Sequence, residues 1–486
     1  MPEVIEELRH QQGGSADVFR RRLGNGPIAI RRQPESGLSW LVLALLSPYL
    51  ALRVGYVQKA LFAILILDIP FQLGTHLFYR DADAVSGALA GLSISATTFA
   101  LFGLYASWFI QTLEHRSHRS NPSGKLNLAL LLYLGFTALS LVAARDARLS
   151  SFELFLLLQM YLVFFYVANF VRNREDLLFV VFFLLLGCLM ESLVMIGLSF
   201  ASLPSGLWGP IHIRVDTQVN GELTRVGGTV GSPNEAGAYL SLMLSLAISV
   251  LFTPAGRKYK LLAAAVLAFG SAALIFTFSR GAWVSLVIAI VLFCCLLWRR
   301  NGSSLKAPIA LLAILLLSYL PFQNAIKARL LTDDNGSAES RIPLMNLAFR
   351  IIADNPILGV GSNNFSAVMD GYLTSEFRQG FLYTVHNKYL LVWAEIGFAG
   401  LLAYLAFLFG TLRKGWACWK ANDRLMSTLA LGFTAAIVGN MVHQSVDIFH
   451  DRPVTQSLWL VAGLIFAMHG MLRAQPTSLE TLSSIT

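Results

Sequence analysis

The sequence predicts an all-α integral membrane protein, a polytopic bundle of about 12 helices (12–14) with a long polar loop on its outer side. Three observations predict it. Of 486 residues, 55% are hydrophobic and only 13% charged, about half the charge of a soluble domain. Apolar runs of about 16 to 23 residues recur, each able to cross a hydrocarbon core of roughly 30 Å. Those runs are continuously apolar rather than alternating, which selects helices over barrel strands.

The candidate spans fall at roughly 37–54, 60–78, 88–110, 128–144, 152–171, 177–200, 237–252, 261–278, 281–298, 309–322, 390–410, 427–449 and 457–472. From residue 111 onward the connections alternate in charge. One set holds Arg116, Arg119, Lys125, Arg172, Arg174, Arg257, Lys258, Lys260, Arg299, Arg300, Lys306, Arg413, Lys414, Lys420, Arg424 and, in the tail, Arg473. The short loops opposite hold only Arg80, Arg145, Arg148, Arg280 and Arg452, so the first set faces the cytoplasm. Thirteen spans would place the Arg-rich N-terminus outside. Pro48 interrupts the first run, and taking that run as re-entrant leaves twelve and an inner N-terminus.

This divides the chain into a basic inner tail (1–36), a membrane bundle (37–322) with an outer loop near 201–236, and a large outer loop (323–389). C-terminal spans (390–472) and an inner tail (473–486) follow. The net charge of +9 lies in short blocks between apolar runs, which argues for loops and against nucleic acid. No apolar leader stands in the first 36 residues. Cys188, Cys294, Cys295 and Cys418 lack metal-site spacing and read as apolar filler.

The outer loop 323–389 carries the chemistry. Asp333-Asp334-Asn335-Gly336 reads as a turn, and Ile342, Met345, Phe349 and Ile352 then recur at helical spacing until Asn355-Pro356. That is an amphipathic helix for the membrane face, with Glu339 and Arg341 at its entry. The following Gly359-Val360-Gly361 turn reads either as a phosphate cradle or as a plain loop. His386 stands where the chain re-enters the membrane, a position that suits a general base, although a His there is more often an interfacial side chain with no catalytic role. Gly397 and Gly400 lie about three turns below it, where another helix can approach.

Arg280 sits in a tight turn on the side otherwise poor in positive charge. Beside Arg341 it would clamp a diphosphate bidentately and without a metal; alone it reads as a snorkelling side chain. In the first outer loop, Asn234 reads as a helix cap, while Arg225 and Arg214 are candidates for an acidic substrate. Asp68, Glu191, Glu395, His443 and Asp447 fall within spans, where they read as groups that stitch helices together.

His386-Asn387, nine residues, Gly397, two residues and Gly400 resembles the periplasmic His-[Asn/Ser/Gln]-x9-Gly-x2-[Gly/Thr/Tyr] signature of the bacterial O-antigen ligase and polysaccharide polymerase superfamily. The segments from Arg225 to Asn234, Ser279 to Gly281 and Arg341 to Phe365 agree with it, covering about residues 220–470. The resemblance implies a GT-C-like, inverting, metal-independent glycosyltransferase without cofactor, in the bacterial inner membrane with its site on the periplasmic face. Its donor would be an undecaprenyl-diphosphate-linked glycan and its acceptor a lipid A core sugar or a second lipid-linked unit, with membrane lipids and other polysaccharide-assembly proteins as neighbours. His386 would be the base, and Arg280 and Arg341 would hold the diphosphate. Arg225, Asn234, Glu339, Asn387 and Arg214 would contact substrate. A transporter or lipid-linked oligosaccharide flippase is the alternative; it would gather its polar residues near the bilayer midplane.

Overall fold

The first described helix, α1 (Gly55–Phe71), ends earlier than its apolar run because the side chain of Asp68 accepts the amides of Leu73 (2.7 Å) and Thr97 (2.8 Å). The chain leaves the helix there and forms β1 (Gly74–Leu77), the short α2 (Asp81–Val85) and β2 (Leu92–Ser95), which pairs antiparallel with β1. Two expected spans, 60–78 and 88–110, thus give their adjoining ends to a hairpin, and α3 begins only at Ala96 and runs to Leu113.

The structure is a computed structural model and describes residues 55–113, 127–201, 205–208, 211–217, 224–301, 323, 341–374, 383–449 and 451–474. The runs at 37–54 and 309–322, the turn at 333–336, Glu339, the tail 1–36 and residues 475–486 lie outside the described residues.

α4 (Leu128–Ser140) and α5 (Ala147–Phe170) are started by Asn127 and Asp146, each accepting two first-turn amides. α6 (Arg174–Ala201) leads into an antiparallel sheet of β3 (Gly206–Trp208), β4 (Ile211–Thr217) and β5 (Thr224–Gly228). α7 (Pro233–Leu251) follows, capped by Ser232 and not by Asn234. Ser232 and Glu235 form a reciprocal capping box with Pro233 at the first helical position, which leaves Asn234 past the capping position. α8 (Arg257–Phe276) and α9 (Arg280–Asn301) complete this half.

In the outer region, α10 (Arg341–Asp354) stops before Asn355-Pro356 as its sequence requires; α11 (Phe365–Val368) and a 3₁₀ turn (Met369–Tyr372) follow. Then come α12 (Lys388–Trp419), α13 (Arg424–His443) and α14 (Arg452–Arg473). Eight described helices, α5 to α9 and α12 to α14, are long and apolar enough to cross a membrane, and the chain is a multi-pass membrane protein. α7, α13 and α14 are buried along most of their length and form the centre of the bundle. α8 and α9 leave more of their surface outside. Asp68 meets Arg452 at 2.6 Å, joining α1 to α14, and the Glu191 carboxylate accepts the Thr229 amide at 2.8 Å, joining α6 to the end of β5.

The basic connections gather at one end of the bundle, where Arg174 reaches Asp423 at 2.6 Å and Arg300 reaches the carbonyl of Ala421 at 2.7 Å. The turns that carry the sequence candidates lie at the other end.

Two details of the outer region differ from expectation. The stripe of α10 splits: Ile352 is buried with Leu344, Leu347, Ala348 and Ile351, whereas Ile342 and Phe349 are exposed. The helix has one face in the protein's second core and a second apolar face outward. α12 breaks at Gly397 (φ 76°, ψ 177°), and what approaches there is a loop rather than another helix. A Cβ at Gly397 would stand 1.8 Å from the Ile357 carbonyl oxygen, so only glycine fits. Gly400 lies against the Ile396 side chain.

Candidate active site

The break in α12 also decides the Gly359-Val360-Gly361 turn. The amides of Val360 and Gly361 donate to the carbonyls of Ala394 and Glu395, both at 2.9 Å, and Phe398 donates to Pro356 at 3.0 Å. These N–H groups complete the broken helix; they do not form a phosphate cradle. Beyond the turn, buried Asn363 bonds to both backbone groups of Leu89 (2.8 Å each) and to the carbonyl of Leu149 (3.0 Å). Asn364 and Asp146 exchange bonds likewise, and the Glu395 carboxylate accepts the Phe365 amide at 3.0 Å. This loop is a scaffold that fixes the outer region onto the N-terminal helices.

His386 sits just before α12. Its Nδ1 faces Asp447 Oδ1 at 3.4 Å, a loose contact of the kind that tightens around substrate. Its ring stacks on Tyr383 with centroids 5.3 Å apart and planes within 13°. Tyr383 in turn covers Gly87, where a Cβ would come within 2.5 Å of the phenol ring. The neighbouring Thr384 is held by the carbonyls of Ser86 and Gly87.

Asp447 lies between α13 and α14 and is buried. Burial alone would raise its pKa, but the hydrogen bond and charge of His386, the charge of His443 and the Ile448 amide together hold it down at about 2. It is therefore an anion at neutral pH. With Asp447 on Nδ1, His386 keeps its lone pair on Nε2. The Tyr383 phenol is pushed up, first by burial and then by the charges of Glu235, Asp451 and Asp447, with Arg214 acting in the opposite sense. It stays a neutral donor.

Around Arg280 a second group converges. The Nε2–Cδ2 edge of buried His443 lies against Gly281, where a Cβ would meet it at 2.6 Å. Arg341 is close enough for its charge to act on His443, and so is Asp447. Asp447 thus stands between two imidazoles, and His443 lies near Arg341 and beside the residue that follows Arg280. Arg225 donates through Nε to the Thr277 carbonyl (3.0 Å) and through its guanidinium to Asn234 Oδ1 (2.7 Å), placing both at the foot of the same turn.

The structure therefore brings Arg280, Arg341 and His386 to one end through His443 and Asp447, with Arg225 and Asn234 alongside. Arg214 lies exposed on β4 and reaches the group through its charge on Tyr383. Asn387 serves as the cap of α12, accepting the amides of Tyr389 and Leu390, and donates to the Ser445 carbonyl at 2.9 Å. Glu339 is outside the described residues.

Sequence reasoning missed Tyr383 and did not give Asp447 and His443 their place. Two titratable residues four apart at the end of an apolar run were the available signal, but that run placed them within a span, whereas α13 ends at His443 and Asp447 lies beyond it. Behind Lys388 a cavity of about 30 Å³ touches Glu153, Tyr404 and Gln444, room for a water or two and not for a sugar. Among the described residues no group of three or more His, Cys, Asp or Glu side chains converges on a metal position.

Residues 263–405 match the family model described as O-antigen ligase. The match includes Arg280, Arg341 and His386 and stops before His443 and Asp447. No curated protein matches the chain significantly. A solved structure described as "Structural coordination of polymerization and crosslinking by a peptidoglycan synthase complex" aligns over 73% of this chain and 100% of its own at 15% identity. The TM-score is 0.37, a superposition too loose to bear on fold or function.

Proposed function

We propose that this chain, whose residues 263–405 match the O-antigen ligase family model, transfers a glycan from undecaprenyl diphosphate to a sugar hydroxyl on the periplasmic face of the bacterial inner membrane. The acceptor is a lipid A core sugar or another lipid-linked repeat unit, and the reaction inverts the anomeric centre without a metal.

The observation that carries this reading is the position of His386, backed by the Asp447 anion and stacked on Tyr383. The same end of the bundle carries Arg280 and Arg341. His386 Nε2 takes the proton of the acceptor hydroxyl as that oxygen attacks the anomeric carbon. The bond to the diphosphate oxygen breaks, and the diphosphate leaves with the electron pair. Arg280 and Arg341 bind its growing charge, and Asp447 steadies the imidazolium. Arg225, Asn234 and Arg214 line the approach on the side of the first outer loop. Ile342 and Phe349, exposed on α10, suit contact with lipid beside the site. Buried Asp68 and Arg452 pair with each other between helices, a structural use of charge that favours an enzyme over a transporter.

The test is transfer from a purified polyprenyl-diphosphate glycan by the reconstituted chain, with wild type and His386→Ala compared in EDTA on both acceptors. Activity that survives EDTA and vanishes with His386 is expected, and the productive acceptor separates ligase from polymerase. Full activity of His386→Ala would refute the assignment of the base.

A further inference from the structure

α12 is longer than a membrane is thick. Its 32 residues reach about 48 Å, against a hydrocarbon core of about 30 Å. Arg413 and Lys414 mark the inner edge of that core. About 20 residues above them stands Trp393, an indole at the opposite edge, where such rings collect. The break at Gly397 lies further in, about 6 Å below Trp393.

The loop that enters this break comes from the outer region. The Pro356 carbonyl accepts the Phe398 amide at 3.0 Å and the Trp393 indole N–H at 3.3 Å, and the Ile357 carbonyl fills the space that a Cβ at Gly397 would need. Ile357 and Leu358 therefore stand at the depth of Gly397, inside the apolar zone, although they follow α10. Both side chains are open to the outside, Ile357 at 74%. Their exposure continues that of α12 itself. Phe398, Leu402 and Phe409, four and then seven residues apart on one helix face, are exposed too, and the Trp393 and Phe398 rings pack 5.5 Å apart beside the turn. Such a face on a spanning helix meets acyl chains.

The turn is built for that place. From Asn355 to Phe365 the chain carries no charged residue. Pro356 has no N–H to satisfy, the Asn355 carbonyl accepts the Gly359 amide at 3.2 Å, and the Val360 and Gly361 amides take carbonyls at the break in α12. Non-helical backbone persists at membrane depth only where its polar groups find partners in the protein.

We propose that the Pro356–Leu358 turn is a lipid-inserted wedge, with Ile357 and Leu358 among the acyl chains of the leaflet on the site's side. It pins the exit of α10, and with it the outer region, at a fixed depth in the bilayer. Ile342 and Phe349, on the outward face of the same helix, then lie along the lipid surface above the wedge. The insertion does not depend on the transfer reaction proposed above.

The experiment places one nitroxide label at a time on the full chain, at Ile357→Cys, Leu358→Cys, Leu402→Cys or Asp370→Cys. Cys294 and Cys295 are replaced by Ala, and buried Cys188 and Cys418 are kept. The protein is reconstituted into vesicles of phosphatidylethanolamine and phosphatidylglycerol. Collision of each label is measured with oxygen, which concentrates among acyl chains, and with a nickel chelate, which stays in water. Leu402 is the lipid reference, and Asp370, exposed in the outer region, is the water reference. Labels at 357 and 358 are expected to follow Leu402, colliding several-fold more with oxygen than with nickel. Labels that behave like the one at Asp370 overturn the wedge. Labels shielded from both reagents overturn it as well, because protein then covers the turn. If Ile357→Cys does not fold, Leu358→Cys decides on the same terms.

Discussion

Two polar clusters at the same end of the bundle contrast in one respect. Around Ser362, Asn363 and Asn364 the buried amides and hydroxyls bond into the backbone and side chains of the N-terminal helices. Around Ser279, Arg341 and His443 buried polar atoms lack partners among the described residues. Both are polar groups set among apolar helices, and sequence alone does not say which of them the fold satisfies. The difference teaches that a densely bonded polar cluster is scaffold, whereas the group around Arg341 and His443 spends fewer of its polar atoms on holding the fold.

Substitutions in the two clusters should therefore fail in different ways. The largest effect falls on His386→Ala, for which transfer should drop roughly 10³-fold, the scale of a lost general base, while the melting temperature barely moves. A large drop in melting temperature would move His386 to the scaffold side. Arg341→Ala should cost roughly 10²-fold in kcat/KM and less than about 0.5 kcal/mol in stability, because its Nε has no partner to lose. Normal turnover by this folded variant would remove the two-arginine clamp.

Asn363→Ala should show the opposite pattern. Removing three buried bonds costs about 3 kcal/mol of stability, and the protein that remains folded transfers at near the wild-type rate. Unchanged thermal unfolding would break the contrast from the scaffold side. The smallest effect is one of pH. The pKa of Asp447 is held at about 2, below its ordinary 3.8, so its charge contributes stability above about pH 4 that is lost as pH falls towards 2. The contribution is about 2 kcal/mol by linkage. Between about pH 5 and pH 2.5 the melting temperature should fall more steeply for wild type than for Asp447→Asn. Parallel curves would mean that His386 does not hold this carboxylate.

Much of the fold was legible because lipid imposes a coarse rule. Runs long enough to span are helices, and the alternation of basic loops from Arg172 to Arg424 foretold which turns share an end. Local chemistry was legible too. Asn355-Pro356 ended α10 where expected. The cap at α7 was one residue type and two positions away from the one expected, because Ser232 with Glu235 forms a reciprocal box that Asn234 cannot. Hairpin strands β1 and β2 were not legible, since their apolar residues continue those of the neighbouring helices.

For the site, sequence alone gave the residue types and the expectation that they share one side: His386, Arg280 and Arg341 stand out because charged groups at apolar boundaries are costly and rare. Tertiary structure decided which of them meet and through what. Asp447 lies 61 residues from His386 in the chain, and His443 reaches Gly281 from another helix. It also decided that Gly397 admits a loop and that the Gly359-Val360-Gly361 amides bind a broken helix instead of an anion. The physical reason is that helix periodicity and hydropathy are local, whereas the satisfaction of a buried hydrogen-bonding group depends on whatever the rest of the chain brings beside it.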